Sequence, residues 1–181
     1  MRRELVTTTY LEMREPSQLR RAREAVTAAQ VIRAEIPSPA LNRFLYTAVG
    51  GDWHWIDRLS WSYARWQEYL ERPQVQTWVL YLRGTVAGYI ELEAQQGGDV
   101  EIAYFGLIRE FIGQGLGAYL LTIGIEKAWL VPDTRRVWVH TCTLDGAQAL
   151  ANYQARGMTI YKIESAEKEV ADTPGPWPGA R

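Results

Sequence analysis

The sequence predicts an α/β fold of the α+β kind. We expect a mixed, mostly antiparallel central sheet of about six to seven strands flanked by helices, in the order β-α-α-β-β-β-α-β-α-β. Three observations predict it. Three strand-like runs, Thr77–Leu82, Val86–Glu93 and Val100–Leu107, are separated by short segments that contain the turns Arg83-Gly84-Thr85 and Gln96-Gly97-Gly98-Asp99, and turns this short imply antiparallel pairing. A glycine-rich turn, Gly113-Gln114-Gly115-Leu116-Gly117, then opens the apolar-periodic segment Leu116–Trp129. Finally, 181 residues, 47% of them hydrophobic and eight of them Trp, suffice for one domain with a sizeable core.

Taken in order, Leu5–Met13 reads as a first strand, rich in β-formers. Pro16 and Ser17 open a helix in which Leu19, Ala22, Val26, Ala29 and Ile32 recur at helical spacing. Ser38-Pro39 is a second start signal, an N-cap followed by proline at the first helical position, for a helix over Leu41–Val49 stopped by Gly50-Gly51. An aromatic loop spans Gly50 to Ser60, and a short helix runs from Tyr63 to Glu71, ending before Pro73. After the three-strand series and the glycine turn, a strand is expected over Arg136–Thr143. A helix over Ala147–Arg156 is stopped by Gly157, and a closing strand covers Met158–Glu164. We read residues 1–168 as one domain and 169–181 as a tail whose three prolines and two glycines predict disorder.

The net charge of −1 gives no reason to expect nucleic acid or an anionic membrane as partner. No apolar run reaches membrane-spanning length, and the N-terminus lacks the apolar region of a signal peptide. Cys142 is the single cysteine, so no intrachain disulfide forms and a cytoplasmic location is expected.

A strand, a glycine-rich turn and a helix start form a phosphate-binding arrangement: the backbone can approach a ligand, and unpartnered N–H groups at the helix start face an anion. A Walker A loop would require Lys and then Ser or Thr after the last glycine, where this chain has Ala118 and Tyr119. Gly113, Gly115 and Ala118 fit a loose dinucleotide fingerprint, but that motif belongs to parallel βαβ units and the upstream strands read as a meander. A turn that only caps the helix is the structural alternative.

Three linked segments then carry a family resemblance. They are Glu101-Ile102-Ala103-Tyr104-Phe105, the run Glu110 to Leu121 around the glycine turn, and Ala149-Leu150-Ala151-Asn152-Tyr153-Gln154-Ala155-Arg156-Gly157-Met158. Their order and spacing resemble the GNAT superfamily of acetyl-CoA-dependent N-acetyltransferases. Over Leu5–Arg72 the resemblance is architectural only. It implies acetyl-CoA as co-substrate, held by Phe105, Gly106 and Leu107 along the splayed fourth strand, by Ile112, Gly113, Gln114, Gly115, Leu116, Gly117 and Ala118 at the turn, and by Asp145 and Asn152. Two positions depart from the pattern. Ile112 stands where Arg or Gln is usual, which leaves the pyrophosphate to backbone amides, and Gly146 replaces the usual Asn, with Asp145 beside it.

Acetyl transfer from a thioester to an amine requires proton removal from the amine, stabilisation of an oxyanion and a proton for the leaving thiolate. Glu101 is the candidate for the first, directly or through water, with pairing to an Arg or solvent exposure as the alternative. Tyr153 is the candidate for the third, with a tyrosine packed in the core and its hydroxyl satisfied as the alternative. A backbone N–H near Phe105–Leu107 would meet the oxyanion. Trp53, His54 and Trp55 are candidate acceptor contacts, with Asp52 or Asp57 attracting a cationic amine, although Trp often packs in a core whatever its role. His140-Thr141-Cys142 places His and Cys on one strand face, but two His and one Cys in the whole chain do not make a closed metal site, and none is expected. The expected partner is a primary amine of a small molecule or peptide. A non-catalytic acyl-CoA-binding sensor or scaffold, and a nucleotide-binding protein of another fold, are the competing readings. The acceptor's identity, acetyl against a longer acyl group, and monomer against homodimer are open at this level.

Overall fold

A computed structural model describes residues 2–23 and 28–175. Seven strands form one sheet in the order β2-β3-β4-β5-β6-β1-β7. They are β1 (Arg2–Met13), β2 (Ala29–Arg33), β3 (Val75–Leu82), β4 (Thr85–Ala94), β5 (Asp99–Leu107), β6 (Arg136–Cys142) and β7 (Thr159–Val170). The helices are α1 (Pro39–Gly50), α2 (Tyr63–Leu70), α3 (Leu116–Trp129) and α4 (Ala149–Ala155). The sheet is mixed and mostly antiparallel, as expected, with β5–β6 its parallel pair.

Local signals explain most boundaries. Ser38 Oγ accepts the Leu41 N–H at 3.3 Å with Pro39 in the first turn, and Ser62 Oγ accepts the Arg65 N–H at 3.2 Å to start α2. The sheet separates two packed layers. On one face, Leu120, Leu121 and Ile125 of α3 meet Ile90, Leu92, Val100, Ile102, Leu11 and Val139. On the other, Leu45 and Val49 of α1 meet Val79 and Tyr89, while Tyr46, Trp66 and Leu70 form an adjoining cluster.

One expected element is corrected. Among the described residues the helix over Leu19–Ile32 does not form: a 3₁₀ turn covers Pro16–Gln18, residues 19–23 carry no helix, and Ala29–Arg33 is strand β2, paired antiparallel with β3. Val26 lies outside the described residues. Ala29 and Val31 pack toward the core while Ile32 remains 51% exposed, so the segment follows the two-residue period of a strand. Pairing with β3 overrides a spacing that also matched a helix. The last strand also extends further than the sequence suggested. It reaches Val170, which is buried, and the chain then returns to the α1–α2 connection, where the Gly175 N–H donates to Gly51 O at 2.9 Å. No described helix is long and apolar enough to cross a membrane.

Candidate active site

The site arises from a discontinuity in the sheet. Pairing of β4 with β5 shifts register between Glu91↔Tyr104 and Leu92↔Ile102, leaving Ala103 as the extra residue of a bulge. On its other side β5 pairs with β6 only at Asp99↔Arg136, Val100↔Val137 and Glu101↔Trp138. Beyond that apex β5 continues to Leu107 and β6 to Cys142 without pairing each other. The two strands thus bound a wedge between them, open at their C-terminal ends. Phe105 and Leu107 pack with the α3 layer, whereas Tyr104 packs with the α1–α2 layer.

Helix α3 begins at the mouth of this wedge. Gly113 (φ +87°) and Gly115 (φ +77°) adopt the left-handed region that favours glycine, and a Cβ on either would meet nothing within 4 Å. Gly115 is the N-cap and provides no side-chain cap, so the first-turn N–H groups at Leu116, Gly117 and Ala118 have no intrahelical acceptor. Gln114 Nε2 bends back to Glu110 O at 3.0 Å, and Ile112 is 49% exposed. Gly117 faces α4: a Cβ there would lie 3.8 Å from Asn152 Nδ2 and 3.6 Å from Leu107 Cδ1. The turn, the end of β5 and α4 therefore converge, uniting most of the residues expected to hold a cofactor. Asp145 has a structural task as well, since its Oδ2 accepts from Thr141 Oγ1 at 2.7 Å and from the Cys142 N–H at 2.8 Å, fixing the β6–α4 turn.

Tyr153 of α4 is buried, with its ring edge-on to Phe105 at 5.9 Å between centroids. Burial, with a contribution from Asp145, pushes its phenol far above the ordinary tyrosine range, so it keeps its proton at neutral pH. Glu101 sits at the apex on the face opposite α3. Its Oε2 accepts from Gln95 Nε2 at 2.8 Å, and desolvation followed by the neighbouring charge of Glu93 raises its carboxyl above the usual glutamate value.

The aromatic loop divides its residues among different tasks. Trp55 packs into the core, over Gly50 and against Tyr104 at 4.8 Å, Tyr46 at 5.6 Å and Tyr89 at 6.2 Å. It is partly buried and keeps some of its surface exposed. His54 holds a left-handed backbone (φ +58°) and contacts Ala171 O through Nε2 at 2.9 Å. Trp53 reaches across to the β6–α4 turn, where its ring would lie 3.4 Å from a Cβ at Gly146. Asp52 forms an ion pair with Arg109 beyond the end of β5 at 2.8 Å. The loop is thus tied to both sides of the wedge mouth.

Sequence reasoning missed the buried cluster behind this loop. Glu91, 1% exposed, accepts from Arg58 Nη1 at 2.9 and 3.1 Å and from the Tyr69 hydroxyl at 2.7 Å. The Arg58 guanidinium stacks on Trp61, Trp66, Tyr69 and Tyr104 at 4.3–5.6 Å. The tryptophans are visible in the sequence, but no local pattern marks the arginine among them as buried. Two cavities lie away from the wedge, one of about 160 Å³ beside the Arg33–Pro37 segment and one of about 330 Å³ beside Gln154 and Gly157.

A bulged strand splayed from its parallel neighbour, with a glycine turn at the next helix start, defines an acetyltransferase class of fold. The profile of the acetyltransferase (GNAT) family matches residues 42–158, well over half of the chain, and the protein belongs to that family. Solved structures agree in fold. A GCN5-related N-acetyltransferase from Kribbella flavida superposes with a TM-score of 0.66 at 19% identity, covering 91% of this chain and 58% of its own. One from Sphaerobacter thermophilus gives 0.64 at 15% identity, covering 94% and 55%. An IAA acetyltransferase from Bacillus cereus gives 0.53 at 24% identity, covering 74% and 79%. The chain therefore spans little more than half the length of the first two. No curated protein matches it significantly.

Proposed function

We propose that this protein transfers an acetyl group from acetyl-CoA to a primary amine of a small molecule or peptide. The observation that carries the reading is the wedge itself: an acidic side chain, Glu101, at its apex and a protonated phenol, Tyr153, packed against one wall at Phe105. Acetyl-CoA would supply the activated acyl group. Its pyrophosphate fits the uncapped amides at Gly113–Ala118, and its pantetheine arm fits beside Phe105, Gly106 and Leu107, where β5 has lost its partner. The exposed Ile112 adds no charge there, so backbone amides carry that contact. Glu101 removes the amine proton directly or through water, an N–H near Phe105–Leu107 meets the oxyanion, and Tyr153 protonates the departing thiolate. Trp53, His54 and the Asp52 region lie on the acceptor side.

The test is thiol release from acetyl-CoA against a panel of primary amines, with Tyr153→Phe as the discriminating variant. Phe keeps the ring contact with Phe105, so folding and CoA affinity should persist. With chemistry limiting, the rate should fall on the order of 10²-fold, as for loss of a general acid. Acetyl-CoA should also raise the melting temperature of both proteins. A clear thermal shift without thiol release from any amine would favour the acyl-CoA-binding sensor instead.

A further inference from the structure

The apex of the wedge contains a second titratable side chain that the mechanism above does not use. His140 stands on β6 two residues beyond Trp138, where pairing with β5 ends, on the same strand face as Trp138. Its Nε2 lies 3.7 Å from Glu101 Oε1. The other carboxylate oxygen is occupied: Trp138 Nε1 donates to Gln95 Oε1 at 3.0 Å, and Gln95 Nε2 donates to Glu101 Oε2 at 2.8 Å. Gln95 therefore fixes the carboxylate with its free oxygen toward the imidazole. The pair also runs from interior to solvent, since the Glu101 side chain is 15% exposed and that of His140 is 50% exposed.

Proton accounting gives this arrangement a task. When an ammonium is acetylated, two protons leave the nitrogen and one ends on the departing sulfur. One proton per turnover must therefore leave the site. We propose that His140 takes this proton from Glu101 and releases it to solvent, making Glu101–His140 a two-step proton outlet at the β5–β6 apex. This rests on the acetyl-transfer reading of the same site. The amine N–H bond breaks as a Glu101 O–H bond forms. That bond breaks in turn as His140 Nε2 gains the proton, and the imidazolium gives it to water, restoring both groups. The 3.7 Å gap exceeds a hydrogen bond and is closed by a side-chain rotation or one water.

The surroundings suit the exchange. Titratable and charged groups around the imidazole are Glu101 on β5, Tyr10 on β1 at 5.8 Å between rings, Cys142 on β6, Lys168 on β7, Asp145 in the β6–α4 turn and Asp57 in the α1–α2 connection. Burial lowers the imidazole from its usual value and raises the carboxyl from its own, so the two converge. Proton transfer is most efficient between groups of similar affinity.

Two measurements test the outlet. The chain has two histidines, so imidazole NMR signals are few, and the one absent from His140→Gln identifies His140. Removing the facing carboxylate in Glu101→Gln should lower the midpoint of that signal, because the carboxylate favours the charged imidazole. An unchanged midpoint overturns the pairing whatever the protein catalyses. In turnover, His140→Gln should lower kcat on the order of 10-fold with the acceptor KM little changed, and added imidazole should restore kcat in this variant but not in Glu101→Gln. A silent His140→Gln, or a loss that imidazole does not restore, overturns the outlet alone. Absence of thiol release by the unaltered protein with every amine overturns the acetyl-transfer reading, and the outlet with it.

Discussion

Glu91 and Glu101 are carboxylates on the same face of neighbouring strands, with different fates. Glu91 is locked by Arg58 and Tyr69 inside an aromatic enclosure. Glu101 has one neutral donor, Gln95, and a half-exposed imidazole. That difference leaves Glu101 without a guanidinium partner and makes it a stability cost. Its folded-state affinity for a proton is raised, chiefly by desolvation and then by Glu93. The folded state then holds more protons than the unfolded state above the ordinary glutamate value of 4.5, so the contribution of Glu101 to stability falls as pH rises from there to its folded midpoint. Glu101→Gln removes this charge and retains an acceptor for Gln95. Its melting temperature should exceed that of the unaltered protein by a margin that grows above pH 4.5, while acetyl transfer is lost. Melting curves at several pH values check this, and a margin that shrinks with rising pH would contradict it.

At the scale of elements, the glycine turn and the bulge cooperate. The bulge at Ala103 turns β5 away from β6, and the left-handed glycines bring the start of α3 to the opening. Gly115→Val places a β-branched side chain at φ +77° on the N-cap, where backbone strain rather than a clash is the cost. It should abolish the thermal shift produced by acetyl-CoA. Gly97→Val is the matched control. It bears similar strain at φ +82° in the β4–β5 turn, again with nothing within 4 Å, and should retain the shift. Loss of the shift in both variants would make strain, not the loop, the cause.

For the whole molecule, the domain is larger than its recognisable family segment. The matched region begins at Asn42, yet β1 lies between β6 and β7 and pairs with both. Leu11 and Met13 are fully buried in the layer shared with α3. Leu11→Ala should cost about 2–5 kcal/mol by the loss of buried methyl groups and the cavity left behind. Leu5→Ala on the same strand, where the side chain is 66% exposed, should remain within about 0.5 kcal/mol. Urea unfolding measures both, and equal effects would show that β1 is not part of the cooperative core.

The residues that short-range rules govern were legible in the sequence. Ser38-Pro39 started a helix, Gly157 stopped one, and the short turns produced antiparallel neighbours, because each depends on a few adjacent backbone groups. Glycines 113 and 115, Glu101 and Tyr153 could be nominated because the segments that hold them resemble, in order and spacing, those of the GNAT superfamily. The tertiary structure alone decided the rest. It made Ala29–Arg33 a strand by supplying β3 as a partner, placed β1 between β6 and β7, packed Trp55 against Tyr104 and buried Arg58 against Glu91. It also set His140 beside Glu101, 39 positions apart in sequence but adjacent across the apex of two parallel strands. Such pairings follow from which strands meet and where their pairing ends, and no local pattern encodes a distance across the sheet.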